Sequence, residues 1–513
     1  MKFGKSLKVA AFAAGAAVLL TGCGAGGNAP TGGDGKTAAR GGTLTIGAVV
    51  DIPSWDPSQA HVGHALQPYQ AAYDSLLLRE PDGKLSPMLA TKWEYDEALT
   101  KLTMDLRTDV TFSDGEKFTP EVVKANLEGF KAANGRQAAQ ASALQSVTVV
   151  DEDTVDITLS APDPAFEYYL SQAAGLMGSP EALGTDEIAA NPVGTGPYVM
   201  DAKASVVGSQ YTFTAREDYW NKDLQKFDSI VFKVLTDVTA RANAIVSGQV
   251  DATLVDARSA AQVEGAGLTL SDNQVDWSGF LLLDRDGKLN PALGELKVRQ
   301  AINHALDRET ILEELQLGYG TATNQVFGPD SGAYVDELDE MYPYDPAKAK
   351  KLLAEAGYAD GFELAMPSFV GLEATVAILT QQLADVGITL KAETVPPANI
   401  VSDIAGGKFP VAYFFLFQGE PWVAINQMIS TEALYNPFDT TSPELQEMID
   451  AVRTGGDESG ELAKEVNRYV TENAWFAPIF RVDQMFFINE KKITSTPQTQ
   501  QAVPSIYNFA PAN

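Results

Sequence analysis

Between residues 362 and 395 the chain changes its apolar period twice. Phe362 to Met366 reads as a strand. Val376, Leu379, Leu383 and Val386 then recur at helical spacing, and Gly387 stops that helix. Ile388 to Val395 returns to strand. Strand, helix and strand in so short a span predict a parallel pair covered by its crossover helix, so this part of the chain is α/β. The same grammar flanks it. Val298, Ala301, Ile302, Ala305 and Leu306 form one apolar helix face. Asp345-Pro346 opens another helix with Ala349, Leu352, Leu353 and Ala356 inward and Gly357 as its stop.

The first half is richer in strands. Leu44, Ile46 and Ala48 alternate, as do Leu102, Met104 and Leu106, and later Ile230, Phe232 and Val234. Val147–Val150 and Val155–Leu159 flank the turn Asp151-Glu152-Asp153 and predict a hairpin. Thr119-Pro120 starts a helix whose buried stripe is Val123, Leu127 and Phe130. Asn191 to Tyr198 is too rich in glycine and proline for a regular element and reads as a crossing between domains. No fixed-period repeat interrupts this pattern.

Of the 513 residues 45% are hydrophobic, enough to build sizeable cores. The net charge of −31 argues against a nucleic-acid partner, because phosphate binding needs a basic footprint. Cys23 is the only cysteine, which excludes an intramolecular disulfide and cysteine-built zinc or iron–sulfur sites within one chain. Three histidines, His61, His64 and His304, are too few for a His-rich metal site. No cofactor and no metal are expected.

The N-terminus reads as an export signal. Lys2, Lys5 and Lys8 precede twelve apolar or small residues, Val9 to Leu20, a run of signal-peptide length. Leu20-Thr21-Gly22-Cys23 resembles the bacterial lipobox, in which the cysteine is diacylated and becomes residue one after cleavage. That resemblance implies a signal peptide over 1–22 and lipidation at Cys23. Residues 23–41 follow as a flexible tether; seven glycines fall between Gly24 and Gly41. Two apparent nucleotide motifs lie here. Gly22 to Gly27 fits G-x-G-x-x-G without a preceding strand, and Gly35-Lys36-Thr37 has Pro30 where a P-loop needs glycine. Both are tether composition.

Further on, several segments resemble one family. Tyr73-Asp74-Ser75-Leu76-Leu77 and Pro87-Met88-Leu89-Ala90-Thr91-Lys92-Trp93 are similar to the opening of extracytoplasmic solute-binding proteins of the oligopeptide, dipeptide and nickel ABC importer family, family 5. Val110-Thr111-Phe112-Ser113-Asp114-Gly115, Pro192 to Tyr198, Asp218-Tyr219-Trp220, Ser247 to Asp251, Val298 to Ile302 and Tyr344-Asp345-Pro346 follow in family order. The resemblance implies a bilobed α/β periplasmic-binding-protein-like fold with an extra inserted β-rich domain. It places a discontinuous first lobe at 42–75, 195–283 and 480–513, the inserted domain at 76–194 and the second lobe at 284–479.

It also implies a binding protein rather than an enzyme. Such a protein captures a peptide-like or other small polar solute between its lobes and delivers it to ABC permease subunits driven by a cytoplasmic ATPase. The protein is then extracytoplasmic, monomeric and lipid-anchored to the bacterial membrane. By position in the family pattern, the ligand contacts are Ser54, Trp55, His61 and His64 in one segment and Phe417, Gln418, Glu420 and Trp422 in another. Family members that bind dipeptides hold the ligand ammonium with an aspartate and its carboxylate with an arginine. Here the first segment, Leu416 to Trp422, has no aspartate. No arginine or lysine follows the strand Leu364 to Gly371 until Lys391. The expectation is a site that rejects zwitterionic dipeptides and takes a sugar, an amine-bearing conjugate or a longer peptide. The competing readings are an exported carbohydrate- or peptide-acting hydrolase and a ligand sensor uncoupled from transport. No G-x-S-x-G or H-E-x-x-H motif supports the hydrolase.

Overall fold

The alternation of Leu44, Ile46 and Ala48 sets the first strand, Thr43–Ala48, at the centre of a seven-stranded sheet. The computed structural model describes residues 40–512. The expected signal peptide, nearly all of the tether and Cys23 lie outside the described residues. Thr43–Ala48 runs parallel to Ser229–Val234 on one side and to Ala252–Leu254 on the other. The strands Gln210–Ala215 and Tyr198–Met200 continue one edge; Phe486–Ile488 and Thr269–Leu270 continue the other. One sheet thus joins three stretches far apart in the chain. Asp251 ties them together: its carboxylate accepts from the Thr45 amide at 2.9 Å and pairs with Lys492 at 2.7 Å.

A four-stranded antiparallel sheet lies between the first two of these stretches. Its order is Ala90–Tyr95, Lys101–Leu106, Thr154–Leu159, Leu144–Val149, so the predicted hairpin forms. Leu102, Met104, Leu106, Val147, Val155, Ile157 and Leu159 are all buried, and the helix Pro120–Ala133 covers them with Val123, Leu127 and Phe130.

A second four-stranded sheet runs Thr321–Ala322, Phe476–Asp483, Gln274–Leu282, Val411–Phe417. Phe362–Ser368 and Ile388–Thr394 form the predicted parallel pair, with the helix Glu373–Asp385 between them in sequence. The helices Leu296–Ala305 and Pro346–Glu355 bury their apolar stripes in the same core. Gly357 and Gly387 adopt φ of +90° and +97° after their helices, a conformation that a side chain disfavours.

Two short segments carry the chain between the large sheets. Residues 271–273 link Thr269–Leu270 to Gln274–Leu282, and residues 484–485 link Phe476–Asp483 to Phe486–Ile488. They run side by side, with the Gln484 amide donating to Asn273 O at 2.8 Å.

The sequence motifs mostly hold one another in place. Asp74 accepts from Tyr219 Oη at 2.9 Å and from Trp220 Nε1 at 2.8 Å, so the first motif meets the Asp-Tyr-Trp motif in the core. Burial pushes the Asp74 carboxyl up to about 6, against those hydrogen bonds. Gly194 and Gly196 lie flush on Ala72 and Tyr73: a Cβ at Gly194 would stand 2.2 Å from Ala72 O. Arg299 turns inward and donates to Leu293 O at 2.7 Å.

Candidate ligand-binding cleft

The segment after the strand Val411–Phe417 is held by backbone on both sides. The Gln418 amide donates to Val275 O at 3.1 Å, and Gln418 O accepts from the Gly328 amide at 2.9 Å. The Gln418 side chain is therefore turned inward. It is 2% exposed, and neither Oε1 nor Nε2 has a hydrogen-bond partner. A buried amide left open on both atoms is destabilising by about 1–3 kcal/mol for each orphaned group. It lines a cavity of about 200 Å³ together with Gln274, Asp330, Ser331 and Gln500. A Cβ at Gly328 would lie 2.7 Å from Gln418 Cδ and displace that side chain. Gly419 is similarly constrained, with a Cβ 2.4 Å from Phe417 Cζ.

Glu420 caps the helix Pro421–Met428, its Oε2 accepting from the Val423 amide at 2.8 Å. Burial raises its carboxyl to about 7. The Val423 amide opposes that rise, Asp163 adds to it, and the Arg79 charge offsets part of it.

Arg79 arrives from the far end of the sequence. It ends the strand Leu77–Arg79, which pairs with Leu85–Pro87. The side chain is 7% exposed, and its guanidinium stands 5.0 Å from the Tyr168 ring centre. Nη2 donates to Gln500 Oε1 at 2.8 Å, whereas Nη1 is buried without a partner. Gln500 in turn donates to Asp330 O at 2.9 Å, so one glutamine links Arg79 to the loop beside Gln418. Burial lowers the Arg79 pKa, and Tyr168, Glu420 and Asp330 resist the change. Gln172 shares a small cavity with Arg79, 2% exposed and with Oε1 unpartnered.

The second sequence segment thus converges. Gln418 lines the cavity of about 200 Å³, Glu420 stands two residues on at the start of the next helix, and Phe417 packs beneath Gly419. Trp422 is buried, lies under the Arg453 guanidinium at 5.3 Å, and lines a neighbouring cavity of about 500 Å³. The first segment does not join them directly. Trp55 is 2% exposed in the core, edge-on to Tyr69, Tyr211 and Phe213 at 5.2–5.7 Å. Ser54 is part of the same packing, its carbonyl accepting from Tyr69 Oη at 2.6 Å. His64 contacts Gln484 at 3.3 Å, beside the inter-sheet link. Burial lowers the His61 and His64 pKa values; Arg136 and His64 lower His61 further. This segment is tied toward the cleft through Gly63, whose carbonyl accepts from Gln501 at 3.3 Å. Gln501 lines the small cavity with Arg79.

Sequence reasoning passed over Arg79, Tyr168, Gln172 and Gln500. Arg79 comes from a strand more than 300 positions away from Gln418, in a segment distinct from the strand Leu364–Gly371 after which the sequence offers no arginine. The one signal was a charged residue closing the apolar run Leu76-Leu77-Leu78.

Two large sheets joined by paired short links enclose loops that carry buried polar groups without partners. A family model for bacterial extracellular solute-binding proteins, family 5 Middle, matches residues 84–430. The chain belongs to this family of bacterial extracellular solute-binding proteins. It is 30% identical over 386 residues to the glutathione-binding protein GsiB of Salmonella typhi, covering 72% of each chain. It is 31% identical over 341 residues to heme-binding protein A of Haemophilus influenzae, covering 57% of this chain and 58% of that protein. Among solved structures, HbpA2 from Haemophilus parasuis superposes with a TM-score of 0.80 at 21% identity, covering 92% of this chain and 100% of that one. DppA from Helicobacter pylori, in complex with the peptide STSA, gives 0.75 at 20% identity over 92% and 99%. The fold is the bilobed one of periplasmic binding proteins.

Proposed function

We propose that this protein is the substrate-binding component of an ABC importer and that it takes a short, zwitterionic, peptide-like solute in the Arg79–Gln418–Glu420 cleft. The carrying observation is chemical. The Arg79 guanidinium keeps one free nitrogen beside a small cavity, Gln418 leaves both amide atoms open in another, Gln500 links the two, and the half-buried Glu420 lies within reach of the Arg79 charge. Arg79, Glu420 and Gln418 complement a ligand carboxylate, an ammonium and a peptide group respectively. The peptide and glutathione named for its relatives are of this chemistry. This reading replaces the sugar or amine conjugate expected when no arginine was in view. The protein hands its solute to permease subunits as a monomer, with lobes divided as the sequence suggests, and without chemical change to the solute.

Isothermal titration of the purified protein with glutathione and with unmodified di- to tetrapeptides tests the ligand class. At least one binds with a micromolar or tighter Kd, and acetylation or amidation of its termini weakens binding at least about tenfold, or 1.4 kcal/mol. Equal affinity for blocked and free peptides overturns the reading, as does consumption of the peptide. Lipid attachment at Cys23 is part of the same proposal: Cys23→Ser releases the protein from membranes, and a variant that stays bound refutes it.

A further inference from the structure

Residues 498–501 form a strap downstream of the strand Phe486–Ile488 of the seven-stranded sheet. The strap is fixed to the early part of the chain. The Thr499 amide donates to Pro81 O at 3.0 Å, Gln498 Nε2 to Glu80 O at 2.6 Å and Gln501 Nε2 to Gly63 O at 3.3 Å. It is also fixed to the linking segment 271–273, where Asn273 Nδ2 donates to Gln498 O and, at 2.9 Å, to Gln501 O. Two carbonyls that converge on one amide group bend the chain between them. Gln500 accordingly takes φ of +56°, a left-handed conformation that persists at a residue with a side chain only where its surroundings hold it. The bend sends the Gln500 side chain across to loops of the second sheet. Nε2 donates to Asp330 O at 2.9 Å, in the loop after Thr321–Ala322, while Oε1 accepts from Arg79 Nη2 at 2.8 Å. Gly419, in the turn after Val411–Phe417, leaves the space that the Gln500 stem fills: a Cβ on Gly419 would lie 2.7 Å from Gln500 Cγ and 2.9 Å from Gln500 Cβ. One amide thus spends its acceptor on one side of the cleft and its donor on the other.

We infer that Gln500 is a latch and the positioning residue of this cleft: it orients Arg79 and holds the loops at Asp330 and Gly419 against the strap before a solute arrives, so the unliganded protein favours the closed arrangement. The inference rests on the reading of Arg79 and Gln418 as solute-facing. A solute then meets a conformation that is already populated, and its apparent affinity rises with that population.

Spin labels at Thr239→Cys and Lys350→Cys, both exposed on the helices Val238–Val246 and Pro346–Glu355, report the distance between the two halves in a Cys23→Ser chain without solute. The readout is therefore independent of which solute the cleft takes. The parent gives one distance. Gln500→Gly suits the left-handed backbone and removes both hydrogen bonds; it adds a longer distance and raises the open-to-closed ratio at least about tenfold. Gln500→Glu keeps the oxygen that accepts from Arg79, loses the donor to Asp330 O, and opens as well. An unchanged distance distribution in Gln500→Gly overturns the inference. So does a Gln500→Glu protein that stays closed, which leaves the Asp330 bond without a role, or a parent that is mostly open.

Discussion

Arg79 and Glu420 lie within reach of each other's charge in the cleft, yet no ion pair joins them. Arg79 spends Nη2 on Gln500 at 2.8 Å, and Glu420 spends Oε2 on the Val423 amide at 2.8 Å. Two opposite charges that could neutralise one another each take another partner instead, and the proposed zwitterionic ligand would meet both.

Burial of its carboxyl makes stability depend on pH through Glu420. Its folded-state pKa of about 7 exceeds the ordinary glutamate value, so the folded protein takes up a proton that the unfolded chain does not hold near pH 6. The stability linked to this group is complete below the unfolded pKa and is lost as pH rises through 7. Glu420→Gln, which stays neutral, therefore gains Tm relative to wild type between pH 5 and pH 8. A constant Tm difference across that range would show that the carboxyl titrates normally.

A ligand ammonium at Glu420 stabilises its charged form. Ligand binding at pH 6.5 then releases protons, measurable as a buffer-dependent calorimetric enthalpy, and Glu420→Gln abolishes the buffer dependence. Unchanged proton release in that variant would assign it to another group.

Arg79→Ala removes the buried fork proposed to meet the ligand carboxylate. Peptide affinity falls by about 30-fold or more, matching the 2–5 kcal/mol that truncation of a buried charged partner costs. Arg79→Lys restores charge without the fork geometry and recovers only part of the affinity. Full recovery by lysine would reduce the role of Arg79 to net charge.

Trp55→Ala separates packing from recognition. The ring is edge-on to three aromatic neighbours and 2% exposed, so its loss destabilises the fold by about 3–5 kcal/mol in denaturant unfolding. Peptide affinity of the folded fraction stays within about twofold of wild type. A stable variant with lost affinity would return Trp55 to the ligand contacts.

Gly328→Ala acts in the opposite way. Its Cβ would press on Gln418 Cδ at 2.7 Å and drive the free amide further into the cavity it lines. Affinity falls about tenfold or more with little change in Tm, since the displaced group is a side chain rather than backbone. Unaltered affinity would show that the Gln418 amide does not face the ligand.

The sequence alone was enough for most of the regular elements. The parallel pair Phe362–Ser368 and Ile388–Thr394, the helix Leu296–Ala305 and the hairpin ending at Leu159 follow from apolar period and from glycine stops, which act within a few residues. It also singled out Gln418, Glu420 and Trp422 as one segment, which folds as the end of a strand and the start of a helix. Tertiary structure decided the rest. Whether Trp55 meets a ligand or Tyr69, Tyr211 and Phe213 depends on strands contributed by residues 210–215, which local pattern does not weigh. Arg79 reaches Glu420 only because separate stretches of chain fold around one cleft. A charge is matched or left open by what lies within a few ångströms of it in space, and 341 positions of sequence separation carry no trace of that distance.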